Sequence, residues 1–211
     1  MPMPLIIIAC TLSAYEFLSL LAPLGISWWY KLLGASALLL VSFQGMILQR
    51  LGGGLFFAPE LPQFVLMTAS WLYNTFFLLF LLLAIKDIVR LILRIFARGR
   101  SFPCGTASLA VLFAAMLLSL YGTWSAVRVP DVKMEEAVIE GLPQELDGMK
   151  VVLLADLHIS AMNRAPLIKS IVEKTTALPP ATILLKATRV TGPGETRAAG
   201  APPLAALPEK K

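Results

Sequence analysis

Four long apolar runs fill most of the first 127 residues and constrain the fold more than any other feature of the sequence. They cover residues 4–24, 32–48, 64–85 and 107–126. Each has a length within the range of about 17–25 residues that an α-helix needs to cross the core of a bilayer. Over the whole chain, 57% of the residues are hydrophobic and only 15% are charged, which is unusual for a soluble domain. We therefore predict that residues 1–127 form a four-helix transmembrane anchor.

The basic residues predict how this anchor is oriented. Lys86, Arg90, Arg94 and Arg98 recur every fourth residue after the third run, so a continuous helix would place them in one stripe. Such a stripe can bind lipid headgroups or a partner, but its commoner role is to hold one end of the anchor in the cytoplasm. We therefore predict a multi-pass protein of the inner (plasma) membrane whose residues after 128 lie on the outer, periplasmic side.

The charge of the polar part argues against a nucleic-acid partner. Residues 1–127 contain seven Lys and Arg against three Asp and Glu, whereas residues 128–211 contain eleven against ten. A nucleic-acid-binding surface needs a basic patch that water can reach. Here the surplus of positive charge belongs to the apolar part, so the predicted partner is the lipid bilayer.

Three polar residues stand out inside the apolar runs: Glu16, Gln44 and Asn74. A carboxylate in hydrocarbon costs on the order of a few kcal/mol, so Glu16 is expected to be protonated, paired or turned toward other helices. One interpretation is a proton or substrate site. The other, which we favour, is a neutral side chain hydrogen-bonded to Gln44 or Asn74.

The composition changes after residue 128 and predicts a small α/β region over residues 128–185. Residues 131–140 alternate loosely and suggest an edge strand, and residues 149–155 form an apolar central strand. A helix is expected over about 164–177, because apolar residues recur there at helical spacing. A second buried strand at 182–185 would complete a right-handed, parallel strand–helix–strand unit. Residues 186–211 are rich in Gly, Pro and Ala and predict a disordered tail.

The central strand leads into two candidate metal ligands. The stretch VVLLADLHIS, residues 151–160, is an apolar run followed by Asp156, one spacer and His158, which is the single histidine of the sequence. Alternation along an extended chain puts these two side chains on the same side, where they could converge on one metal ion. The simpler interpretation is a turn in which the aspartate caps the next helix.

The longer run GLPQELDGMKVVLLADLHIS, following four membrane spans, resembles the membrane-anchored branch of the calcineurin-like metallophosphoesterase family. The resemblance implies that Asp156 and His158 bind the first of two divalent ions, which in this family are Mn, Fe, Zn or Mg. It implies hydrolysis of phosphate mono- or diesters by a metal-bound hydroxide. Its substrate could be a lipid-linked phosphate, given the membrane anchor.

The sequence departs from that family after the second strand. The resemblance implies a Gly-Asp-x-x-Asp block at residues 187–191, where this chain has Ala-Thr-Arg-Val-Thr, so Thr188 stands in place of the bridging aspartate. The later histidine-containing blocks would lie beyond residue 211. We therefore expect a truncated, inactive metallophosphoesterase domain that binds at most one metal ion weakly. The alternatives are a non-catalytic membrane helix bundle with a small exported binding segment, and a proton-coupled transport component that uses Glu16.

Overall fold

The computed structural model describes residues 3–52, 54–55, 58–59, 61–96, 104–155, 165–178 and 182–186. The chain divides into two compact units, Met1–Ala126 and Val127–Lys211. Among the described residues, the first unit is mostly helical, and the second combines one α-helix and a 3₁₀ helix, Gln144–Leu146, with a small parallel sheet.

Four long helices make up the first unit. Helix α1 covers Met3–Glu16 and continues directly into a π-helical segment, Phe17–Leu21. Helix α2 covers Trp28–Gly52, α3 covers Gln63–Phe96 and α4 covers Cys104–Val127. Two short antiparallel strands, β1 (Gly54–Leu55) and β2 (Ala58–Pro59), lie between α2 and α3.

Three of these segments are long and apolar enough to cross a membrane, judged by length and composition: Met3–Leu21, Trp28–Gly52 and Cys104–Val127. They include most of the predicted first, second and fourth spans. The predicted third span, residues 64–85, lies within α3, which continues unbroken past Lys86 as far as Phe96. These helices are compatible with a membrane protein.

The interior of the first unit is small and contains many hydroxyl groups. Its apolar centre consists of Leu20, Leu79, Leu83 and Ala115. Most of the other buried side chains are polar: Ser13, Glu16, Ser19, Ser42, Thr75, Ser108, Ser119 and Thr123. Large apolar side chains on all four helices point outward instead. Small and hydroxyl-bearing residues at helix contacts, with apolar residues outside, are typical of helices packed in lipid.

Close contacts at three glycines show which helix ends lie next to each other in the first unit. A Cβ atom added to Gly34 near the start of α2 would lie 2.7 Å from Leu21 Cδ1, at the end of the π-helical segment. One added to Gly105 at the start of α4 would lie 3.3 Å from Leu24 Cδ2. The end of α1 and the starts of α2 and α4 are therefore neighbours. At the far end of α2, Gly52 approaches Leu61 just before α3.

In the second unit, the strands β3 (Val151–Ala155) and β4 (Thr182–Lys186) pair in parallel, with Val151 opposite Thr182. Helix α5 (Ala165–Thr176) lies between them in the sequence and buries Ile168, Ile171 and Val172. The helix and the parallel pairing agree with the sequence prediction.

The edge strand predicted over residues 131–140 is wrong. The structure assigns no strand to these residues, and Val132, Met134, Val138 and Ile139 are all exposed. A strand is stabilised by hydrogen bonds to a neighbour, and within the described residues this segment pairs with none.

Candidate functional site: a charged cluster among apolar helices

The described residues of the first unit contain a cluster of charged and hydroxyl side chains where α3 passes the end of α1. Its centre is Lys86, whose side chain is 12% exposed, next to Asp87, whose side chain is 33% exposed. Lys86 Nζ lies 3.1 Å from Asp87 Oδ1. The two charges therefore offset one another within the cluster.

Lys86 also joins α3 to the π-helical segment and to α4. Its Nζ donates to the backbone oxygen of Ser19 at 3.0 Å, to Ser19 Oγ at 2.9 Å and to Ser108 Oγ at 2.8 Å. Ser108 Oγ in turn donates to the Ser19 backbone oxygen at 2.8 Å. An ammonium has three N–H donors, so these acceptors and Asp87 can satisfy it fully.

The local backbone explains why Ser19 offers its carbonyl oxygen to side chains. In a regular α-helix this oxygen would accept from the N–H of residue 23, but that residue is Pro23, which has none. The backbone N–H of Leu24 instead donates to Leu21. The Ser19 oxygen is therefore left for Lys86 and Ser108, which bind it from two other helices.

Two hydroxyl groups donate hydrogen bonds to Asp87, one from the end of α1 and one from the π-helical segment. Tyr15 Oη donates to Asp87 Oδ2 at 2.8 Å, and Ser19 Oγ donates to the same oxygen at 2.6 Å. Burial by itself would raise the pKa of the Asp87 carboxyl. The hydrogen bonds from Ser19, Tyr15 and Lys86, together with the charge of Lys86, outweigh burial and hold this pKa below its ordinary value.

A cavity of about 670 Å³ opens beside this cluster. Its polar lining comes from Tyr15, Ser19, Asp87, Arg90, Arg94 and Cys104, and its apolar lining includes Leu18 and Leu91. Arg90 Nη1 donates to Cys104 Sγ at 2.7 Å, which ties α3 to the start of α4. Two guanidinium groups, one helical turn apart, thus face the same space.

The basic residues predicted to form one stripe therefore differ in their surroundings. Lys86 is hydrogen-bonded between helices to Ser19 and Ser108. Arg90 is half-buried and donates to Cys104, whereas Arg94 is exposed and lines the cavity. Arg98 lies outside the described residues.

The structure does not bring together the three polar residues of the apolar runs. Glu16 is fully buried, and within the described residues neither of its carboxyl oxygens has a hydrogen-bond partner. Gln44 Nε2 instead donates to the backbone oxygen of Ala69 at 2.7 Å, and Asn74 is exposed. The preferred interpretation, a hydrogen bond from Glu16 to one of these residues, is therefore wrong, because neither amide reaches the Glu16 carboxyl.

The predicted metal ligands Asp156 and His158 lie outside the described residues, as does the segment 187–191. Strand β3 ends at Ala155, so Asp156 follows its carboxyl end directly in the sequence. Among the residues that the structure describes, no group of three or more His, Cys, Asp or Glu side chains could hold a metal ion.

Sequence reasoning missed the roles of Tyr15, Ser19, Asp87 and Ser108. Two signals were available. Asp87 follows Lys86 immediately at the end of an apolar run, and such a charged pair can neutralise itself. Ser19 stands four residues before Pro23, the position whose carbonyl a proline leaves without a helical donor.

Comparisons of the chain with protein-family models, with curated proteins and with solved structures found no match. Residue chemistry and geometry are therefore the grounds for assigning a function.

Proposed function

We propose that the chain is a multi-pass membrane protein whose second unit is a metallophosphoesterase-type strand–helix–strand segment, with Asp156 and His158 as metal ligands. The observation that favours it is the parallel pairing of β3 and β4 around α5, with Asp156 next after β3. Ligands and catalytic groups are commonly found at the carboxyl ends of parallel strands.

The membrane part of the proposal has four spans, residues 4–24, 32–48, 64–85 and 107–126. Support comes from three membrane-length apolar helices and from the unbroken helix α3, which contains the remaining span. With the basic end of α3 in the cytoplasm, the second unit lies on the periplasmic side of the inner membrane.

The chemistry of the proposed site is limited to one metal ion held by two protein ligands, with water in the remaining positions. A two-metal phosphoesterase needs a bridging carboxylate and further imidazoles. This chain has Thr188 at the position that corresponds to the bridging aspartate, and a single histidine. We propose weak binding of Mn²⁺, Fe²⁺, Zn²⁺ or Mg²⁺ without phosphoester hydrolysis by this chain.

Manganese binding to the purified full chain in detergent tests this proposal. The electron paramagnetic resonance signal of free Mn²⁺ should fall as protein is added, and Asp156→Ala or His158→Ala should restore it. Glu173→Ala is the matched control, because it removes an exposed carboxylate of the same unit that lies on α5. Binding that survives both ligand substitutions would overturn the assignment.

Hydrolysis of bis(p-nitrophenyl) phosphate with Mn²⁺, in the same preparation, tests the second half of the proposal. No release of nitrophenol above the Asp156→Ala background is expected. Turnover that Asp156→Ala abolishes would establish an active phosphoesterase and contradict the single-metal reading.

A second function is favoured by one observation, the buried carboxyl of Glu16. This side chain has no hydrogen-bond partner among the described residues, and the π-helical segment begins at the next residue. Such segments are frequent at functional sites, and isolated carboxyls in membranes often carry protons. On this reading the helices are a proton-coupled transport component, with Glu16 taking up and releasing the proton.

Infrared spectroscopy of the reconstituted protein tests that reading. A protonated Glu16 should give a carbonyl band that disappears reversibly as the pH is raised and that is missing in Glu16→Gln. Asp87→Asn is the control, and it should leave the band in place. A Glu16 band that does not change with pH would exclude a proton carrier.

A further inference from the structure

The cavity beside the charged cluster has an uneven charge. Asp87 lines it, but this carboxylate is already neutralised by Lys86 at 3.1 Å and accepts hydrogen bonds from Tyr15 and Ser19. Among the described residues, the lining has two further cationic groups, Arg90 and Arg94. The cavity therefore has a net positive charge and favours an anion.

The donor groups at the cavity fit a phosphate in particular. A guanidinium has five N–H donors, and the bond from Arg90 to Cys104 uses one of them on a weak acceptor. Arg94 lies one turn further along α3 and is exposed. Two guanidinium groups separated by one helical turn can bind different oxygens of one phosphate, for which arginine geometry is well suited.

The length of α3 places these arginines at the depth of lipid headgroups. A helix of 34 residues is about 51 Å long, whereas a bilayer core is about 30 Å thick. If residues 64–85 lie in the core, Arg90 and Arg94 follow Ile85 by roughly 8 and 14 Å along the helix axis. This step rests on the membrane arrangement proposed above. Leu18 and Leu91 add apolar walls that acyl chains can contact.

We propose that this cavity binds the phosphate group of an anionic phospholipid, with Arg90 and Arg94 as its ligands. The proposed ligands are not the proposed metal ligands Asp156 and His158, and the proposal does not depend on metal binding by those two residues. Free phosphate has the same charged group, but it lacks acyl chains to contact the apolar walls.

Spin-label measurements on the full chain in lipid vesicles test the proposal. The fraction of motionally restricted lipid is compared for spin-labelled phosphatidylglycerol and spin-labelled phosphatidylcholine. We expect a preference for phosphatidylglycerol that falls about fivefold for each arginine lost in Arg90→Gln and Arg94→Gln. Arg50→Gln is the matched control, because it removes a positive charge near the end of α2 that does not line the cavity.

The double variant Arg90→Lys with Arg94→Lys distinguishes the contribution of charge from that of guanidinium geometry. It keeps both charges, and we expect it to retain part of the preference for phosphatidylglycerol. Unchanged selectivity in the Gln double variant would overturn the proposal. So would loss of selectivity in excess inorganic phosphate but not in sodium chloride of equal ionic strength, since the site would then take free phosphate. If the proposed membrane arrangement itself is wrong, the result is distinct, because neither spin-labelled phosphatidylglycerol nor spin-labelled phosphatidylcholine would then show motional restriction.

Discussion

Lys86 and Asp87 connect several elements in the described part of the first unit. Two other helical elements form hydrogen bonds with this pair on α3: the end of α1 with its π-helical segment, and α4 through Ser108. Both charges are partly removed from water, so each depends on the other and on the hydroxyl groups around them. Removing either side chain would therefore leave the other charge partly buried and without its partner.

Lys86→Met is expected to destabilise the first unit by about 1–3 kcal/mol, because Asp87 keeps its partly buried charge while losing its cation. Thermal unfolding of the full chain in detergent measures this loss. Adding Asp87→Asn to Lys86→Met should restore part of it, since no unpaired charge is then left. Equal losses in the single and double variants would show that the two side chains are not coupled.

For individual polar residues, the sequence predicts which positions are unusual better than it predicts their hydrogen-bond partners. The sequence marks Glu16 as an unusual carboxyl, but the structure shows no hydrogen bond from it to the expected partners Gln44 and Asn74. Hydropathy identifies a polar residue in an apolar run, yet not the face of the helix on which it lies. The sequence predicts Lys86 as a topology anchor, but the pattern of basic residues does not indicate its contacts with Ser19 and Ser108, which come from distant parts of the chain.

Helix α2 approaches the π-helical segment where Gly34 leaves room for Leu21. A Cβ at this position would lie 2.7 Å from Leu21 Cδ1 and 3.2 Å from Cδ2. A small rotation of the leucine could accept one methyl group, but a branched side chain demands more space than such a shift provides.

Gly34→Val is therefore expected to lower stability by about 1–3 kcal/mol through overpacking. Gly122→Val in α4 is the matched control, because a Cβ there meets nothing within 4 Å. Both substitutions carry a similar change in helix propensity, so their difference in thermal unfolding reports the contact with Leu21. Equal effects at both glycines would contradict a close approach.

Local periodicity predicted the elements whose partners are close in sequence. Helix α5 and the pairing of β3 with β4 follow from apolar spacing within about 35 residues, and both are present. The predicted strand at residues 131–140 failed because its alternation was loose and it found no neighbour among the described residues. Alternation of apolar and polar residues indicates that a segment can form a strand. The hydrogen bonds that stabilise the strand come from a neighbouring strand, which the alternation does not identify.

For the whole molecule, the number and direction of the membrane crossings decide which compartment each unit faces. Reporter fusions at two positions of the chain measure this directly. Alkaline phosphatase joined after Val129 should be active, because the proposed topology places that residue outside the cytoplasm. Green fluorescent protein joined after Phe96 should fluoresce, because the proposed topology places that end of α3 in the cytoplasm. If green fluorescent protein joined after Val129 fluoresces instead, the proposed topology is inverted.

The parallel sheet of the second unit has one consequence for its backbone. In a two-stranded sheet both strands are edges, and successive N–H groups point alternately toward the partner and away from it. Amide hydrogen exchange should therefore show slow and fast positions in alternation along Val151–Ala155 and Thr182–Lys186. A further strand, from outside the described residues or from another chain, would slow both sets on the strand that it joins. The pattern of amide exchange rates along these ten residues thus shows whether further strands join this sheet in solution.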